Sequence, residues 1–157
     1  KIMISAEEWI NRLELMPHPE GGYYKETLRP DDKKRASYSS IYFLLKDADV
    51  SHFHRIDADE VWYHHSGETL LIHMITTEGK YYVEQLGQNV ADGDVLQCVV
   101  PKGTIFASSL KHSKGYGIVG CMCQPAFEFE HFELLAQAIL LEKYPQHQEI
   151  IKAYAVE

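Results

Sequence analysis

Between Gly21 and Glu133 the chain alternates short runs of aromatic and β-branched residues with glycine, proline and charged turns. The runs are Ser39–Leu45, Glu60–His65, Leu70–Thr76, Tyr81–Leu86, Val95–Val100, Thr104–Ser108, Gly117–Cys123 and Phe127–Phe132. Ser66-Gly67-Glu68, Glu78-Gly79-Lys80, Asp92-Gly93-Asp94 and Pro101-Lys102-Gly103 separate them. Strands at this spacing, with no long helix between them, predict an all-β sandwich or barrel. The ends read differently. Ser5-Ala6-Glu7-Glu8 has the Ser-x-x-Glu form of a capping box, and Trp9, Leu13 and Met16 recur at helical spacing. Pro17 is expected to stop that short helix. From Leu134 the pattern returns to helix, with Ile150, Ile151 and Tyr154 in helical phase after Pro145. No linker and no repeat longer than a hairpin interrupts the pattern. The expectation is one domain over residues 1–157, its barrel spanning about residues 21–133.

Composition narrows the partners. The 157 residues hold 45% hydrophobic and 24% charged side chains, ordinary for a globular chain. A domain of this size buries roughly 70% of its unfolded surface. A net charge of −8 argues against a nucleic-acid surface. No apolar run is long enough to span a bilayer, and the N-terminus lacks a secretion pattern. Three cysteines, Cys98, Cys121 and Cys123, suit a reducing compartment better than a disulfide framework, so a cytoplasmic location is expected. Cys121 and Cys123 share a face of one strand and read as a buried structural pair rather than a metal or redox site.

The histidines carry the chemistry. Five of nine fall between His52 and His73. His52 and His54 are two apart, so on a strand they point to one side. After a tight Arg55–Asp59 turn, Glu60 opens the next strand with Trp62 and His64 in phase. A hairpin of this kind would bring two imidazoles and a carboxylate to one concave face. Such a set holds a divalent metal, or moves protons without one. His54 and Glu60 are the candidate acid–base pair, and a buried His–Glu hydrogen bond that merely fixes the hairpin is the alternative. His52, Trp62, His64, His73, Gln97 and Phe106 are candidate ligand contacts. Only one of His64 and His65 can face inward, and His73, in phase with Leu71 and Ile75, is as well suited to the core. Tyr24, Lys25 and Glu26 are expected to be solvated, and Gly21-Gly22 to form a turn or bulge. No serine or cysteine nucleophile signature stands out, so acyl transfer is not expected.

His52-x-His54, Glu60 and, after six intervening residues, Gly67 resemble the first cupin motif; Gly93 and Pro101-x-Gly103 resemble the second. The gap from His54 to Glu60 is one residue longer than that pattern, and Phe106 stands where its last histidine would. The chain is similar in particular to the cupin-5 family, domain of unknown function 985, which is related to dTDP-sugar epimerases. The similar blocks are His18 to Thr27, Ser51 to Arg55, Asp59 to Trp62 and Phe127 to Glu133. Ala126 replaces a more usual glycine. The resemblance implies a cupin-type double-stranded β-helix, a jelly-roll barrel with a short N-terminal helix and short C-terminal helices, and a pocket inside the barrel. It implies no activity.

Three functional readings follow. The leading one is a metal-independent cupin that binds a small polar metabolite, a sugar or sugar-nucleotide, and acts, if an enzyme, as an epimerase or isomerase. The second is a metal-dependent oxygenase or isomerase holding iron, manganese, nickel or zinc with His52, His54 and Glu60. The third is a non-catalytic binding or storage-like module. A homodimer is expected, because a sandwich must cover its edge strands and the Tyr23–Thr27 segment suits pairing across subunits.

Overall fold

Among the described residues the apolar runs between turns resolve into eleven strands. The structure, a computed structural model, describes residues 4–157, so the first three residues of the expected domain lie outside the described residues. Helix α1 (Ala6–Arg12) precedes β1 (Met16–Pro17), β2 (Tyr23–Leu28), β3 (Ser39–Lys46), β4 (Val50–Ile56), β5 (Asp59–Gly67), β6 (Leu70–Ile75), β7 (Tyr81–Leu86), β8 (Gln97–Val100), β9 (Ile105–Leu110), β10 (Tyr116–Gln124) and β11 (Phe132–Leu134). Helices α2 (Gln137–Lys143) and α3 (Gln148–Tyr154) close the chain. One antiparallel sheet runs β1-β2-β3-β10-β5-β8 and the other β11-β4-β9-β6-β7. They face each other as a cupin jelly roll.

The main core lies between the sheets, where Phe43, Trp62, Ile72, Met74, Phe106 and Val119 interdigitate. Each such large side chain contributes roughly 1.5–3 kcal/mol by leaving water. Two smaller clusters back the sheets from outside. The terminal helices lay Leu140, Tyr144 and Ile151 over Phe53, Ile75 and Ile105. At the other face, α1 packs Trp9 and Leu13 near Leu15, Leu44 and Ile118.

Local expectations needed four corrections. Helix α1 starts as expected, with Glu8 N–H donating to Ser5 Oγ at 3.1 Å. It ends at Arg12, before Pro17, because Glu14 turns into the left-handed region at φ 57°. Met16 is therefore exposed in β1, and Leu15 takes the buried place. The Arg55–Asp59 turn does not make a hairpin: β4 and β5 part onto opposite sheets, crossing at buried Ala58. Val95 makes only an isolated bridge to Leu86, and β8 begins at Gln97. Phe127–Phe132 is a strand only at its last residue, where β11 begins. Ser39 Oγ takes the Phe127 N–H and Arg29 takes its carbonyl, so side chains satisfy the groups a ladder would use, and a 3₁₀ turn follows at Phe129–His131.

Candidate functional site

A cavity of about 380 Å³ opens between the two sheets. Its floor is set by the loop from His18 to Gly22. Gly21 and Gly22 sit at φ 112° and 79°, and a Cβ on Gly21 would collide with the Val50 carbonyl. Glycine is required there. The close approach lets the Glu20 carbonyl accept from the His52 N–H at 2.7 Å, which docks the loop on β4 and sends the Glu20 side chain inward.

Glu20 then meets three groups. Ser51 Oγ donates to its Oε2, His54 Nε2 stands 3.2 Å from Oε2, and His18 Nδ1 stands 3.1 Å from Oε1. The tautomers follow from the neighbours. His54 Nδ1 lies 2.7 Å from the His52 carbonyl and so carries a proton, leaving the neutral ring with a bare Nε2. His18 Nδ1 accepts the Glu20 N–H at 3.1 Å and is bare as well. The free lone pair of His54 thus faces the Glu20 carboxyl group, an arrangement that holds a proton between them, while that of His18 is taken by the Glu20 N–H. Burial supplies the proton: Glu20 is pushed up to about 8. Burial holds His54 below the ordinary histidine range and takes His18, next to His54, down to about 3.

Glu60 lies on β5, across the cavity wall from this group. Its Oε1 accepts from Cys123 Sγ–H at 3.1 Å. Burial first, and then the charge of Glu20, raise it to about 7. Trp62 lines the same wall, edge-on to Phe43 at 6.0 Å, and its Nε1–H has no partner. Tyr24, Phe127 and Phe129 bring further rings, with Tyr24 4.5 Å from His18. At the mouth Arg29 is gripped by both oxygens of Glu26 at 2.9 Å and by the Phe127 carbonyl at 2.6 Å.

Of the residues singled out from the sequence, His54, Glu60 and Trp62 line the cavity and the others do not. A β-bulge in β4, between Ser51 and His54 opposite β9, breaks the alternation that would have aligned His52 with His54. His52 instead donates Nδ1–H to the Glu20 carbonyl at 2.9 Å, outside the cavity. His64 is the inward member of its pair but is spent on the Glu68 carbonyl at 2.9 Å. His73 lies under α3, bonded to Tyr81 and Ser109 at 3.0 Å each and stacked on Tyr154. Gln97 is exposed on edge strand β8. Phe106 is core, its ring 4.1 Å from that of His54, behind the cavity rather than in it.

His18 and Glu20 are site residues that no periodicity marks, although both stand in one of the blocks that resemble the family. Tyr24, expected in solvent, is half-buried and lines the cavity; Glu26 stays exposed as expected but borders the cavity mouth, while Lys25 turns out to Glu14 at 2.7 Å. The signal was period-two alternation. Cys121 and Cys123 are buried as expected and also touch the cavity.

The family model described as "Cupin superfamily (DUF985)", Cupin_5, matches residues 7–135. The chain belongs to this family. It is 45% identical to protein SO0799 from Shewanella oneidensis, whose crystal structure superposes with a TM-score of 0.93 over 99% of this chain and 100% of that one. A hypothetical protein from Leishmania major is 39% identical, with a TM-score of 0.91 over 98% and 100% of the two chains. The uncharacterized yeast protein YML079W, from Saccharomyces cerevisiae, is 26% identical over 83% of this chain and 75% of its own. Oxalate decarboxylase from Bacillus subtilis, 15% identical with a TM-score of 0.59 over 90% of this chain and 37% of that one, shares the fold alone.

Many jelly rolls of this kind hold a metal, and the residues present here do not fit one. His52 is outside the cavity and Phe106 offers no donor atom. The bare nitrogen of His18 is taken by a backbone N–H. Among the described residues no three His, Cys, Asp or Glu side chains are grouped to hold an ion. Nor is any helix among them long and apolar enough to cross a membrane.

Proposed function

We propose that the cavity binds a small polar metabolite of sugar-like size and moves a proton on it without a metal, as an epimerase or isomerase does. The observation that carries this reading is the single proton position between Glu20 and His54 on the floor of an aromatic-walled cavity. A neutral His54 has its Nδ1–H anchored, so Nε2 is the atom that accepts or returns a proton. As Nε2 takes the proton, Glu20 gives its own to a ligand oxygen, and the carboxylate left behind stabilises the imidazolium; Ser51 and the Glu20 N–H keep that side chain and His18 in place. Trp62 supplies a flat apolar wall for a ring, and Glu60 a second group near neutrality. Abstraction of a proton beside a carbonyl, with return to either face or to the neighbouring oxygen, is the step such a pair performs. The acid–base pair is thus His54 with Glu20, in place of the expected His54 with Glu60.

The test is a thermal-shift and turnover screen of the parent, Glu20→Gln and His54→Ala against sugars and sugar-nucleotides. A ligand that stabilises the parent, and is turned over by the parent but by neither variant, is the expected result. Turnover that survives both substitutions would overturn the assignment. Stoichiometric binding without turnover would favour the binding-module reading.

A further inference from the structure

The charges around the cavity say more about the ligand than its size does. We propose that the occupant is a small, unphosphorylated hydroxylated ring carrying an amine, of the amino-sugar class, seated with its ammonium against Glu60. This rests on the sugar-like reading above and decides between its members.

A phosphate has no place to bind. Glu20, Glu26, Glu60 and Glu128 line the cavity, and among the described lining residues Arg29 is the one fixed cation. Its guanidinium fork is already closed on Glu26 and the Phe127 carbonyl, so the bidentate geometry that recognises phosphate is in use. A nucleoside diphosphate would set two further charges beside Glu26 and Glu128 with nothing to pair them.

An ammonium is served on every side. Glu60 is 8% exposed, and no lysine or arginine among the described residues pairs with it; Cys123 gives it one weak S–H donor. Trp62 lines the same cavity and offers an aromatic wall to a cation. The Trp62 Nε1–H, in a side chain 2% exposed, has no partner at full hydrogen-bond geometry and lies towards Glu60, where it favours the charged carboxylate that an ammonium would pair with. The groups that face or surround Glu60 are Glu20 from the glycine loop, His54 from β4, Trp62 from its own strand, Cys98 from β8, and Cys121 and Cys123 from β10. None supplies a permanent positive charge. A ligand cation there converts Glu60 to its carboxylate, so binding below about pH 7 releases a proton.

Calorimetry on the full chain tests this with matched probes: glucosamine, glucose and glucose 1-phosphate, the galactose and ribose equivalents of each, and dTDP-glucose. At least one amine is expected to bind tenfold or more tighter than its neutral parent, with no measurable binding of the phosphate esters. Heats compared at pH 6 in two buffers of different ionisation enthalpy should show proton release. Glu60→Gln, checked for native far-UV dichroism, should abolish the amine preference. Three results would overturn the proposal: no amine binding, neutral or phosphorylated forms binding as tightly, or amine preference surviving Glu60→Gln. The two readings fail separately. A phosphorylated sugar turned over by the parent but not by His54→Ala would remove only the amine. An amine bound and converted equally by the parent, Glu20→Gln and His54→Ala would remove only the proton pair.

Discussion

Nε2 of His54 and Oε2 of Glu20 stand 3.2 Å apart in the barrel floor, and the geometry around each permits one proton between them. The contact joins β4 to a loop more than thirty residues upstream, and it exists because the Glu20 carbonyl caps the bulge that displaces His52. The bulge costs the chain a shared His52–His54 face and gains a carboxyl partner for His54. Bulges near sites commonly re-aim side chains in this way.

The glycine loop is therefore part of the site. Gly21→Ala forces a side chain into φ 112° and against the Val50 carbonyl. The expected cost is about 1–3 kcal/mol in urea unfolding. Because the loop must lift from β4, any ligand that stabilises the parent should bind at least tenfold more weakly. An unchanged midpoint together with unchanged binding would show that the loop does not position Glu20.

Glu60 should make the protein less stable as the medium becomes more basic. Its folded value of about 7 lies above the unfolded value near 4.5. The associated stability is complete below pH 4.5 and is lost as pH rises through 7. Glu60→Gln keeps the shape and the Cys123 contact while removing the titration. The variant should match the parent near pH 4.5 and exceed it at pH 8 by on the order of 2 kcal/mol. Urea midpoints at the two values measure this, and a variant less stable than the parent at pH 8 would contradict it.

We propose that the chain forms a homodimer, as its edges suggest. Among the described residues strand β1 covers only Tyr23 and Tyr24 of β2, and none pairs with Lys25–Leu28 on the outer side of the sheet. Leu28 there is 49% exposed. A second copy that pairs along this edge would cover it. Light scattering at micromolar concentration should return twice the 18.0 kDa chain mass, and Glu26→Pro should shift the population to monomer. A monomer mass for the parent would refute the proposal.

The strands were legible because aromatic and β-branched runs bounded by turn residues are written locally: Tyr81–Leu86 has the bounds its run predicts, and on β5 Glu60, Trp62 and His64 alternate inward together. Which sheet each strand joins was not, since the crossover at Ala58 looks locally like a hairpin turn. The site was half legible for the same reason. His54, Glu60 and Trp62 follow from alternation on single strands. His52 fails at a bulge, which needs the register against β9 to be seen. His18 and Glu20 lie in a loop with no period, and only docking of its carbonyl on β4 gives them a direction.

The proton positions themselves can be read without a ligand. Long-range ¹H–¹⁵N correlation spectra distinguish a protonated from a bare ring nitrogen, so they report the tautomer of each histidine against pH. At pH 7 His54 should be neutral with its proton on Nδ1, because the His52 carbonyl can only accept. His18 should be neutral with its proton on Nε2, because Nδ1 accepts the Glu20 N–H, and it should keep that form to about pH 3. As pH rises through about 8 Glu20 gives up its proton. A fresh carboxylate 3.2 Å from Nε2 favours the charged imidazole, so the His54 resonances should shift in that range although no free histidine titrates there. Glu20→Gln removes the acidic proton, and the alkaline shift should vanish while both tautomers persist. If His54 at pH 7 is instead an imidazolium, or carries its proton on Nε2, the proton sits on the wrong partner and the pair cannot act as the base assigned to it.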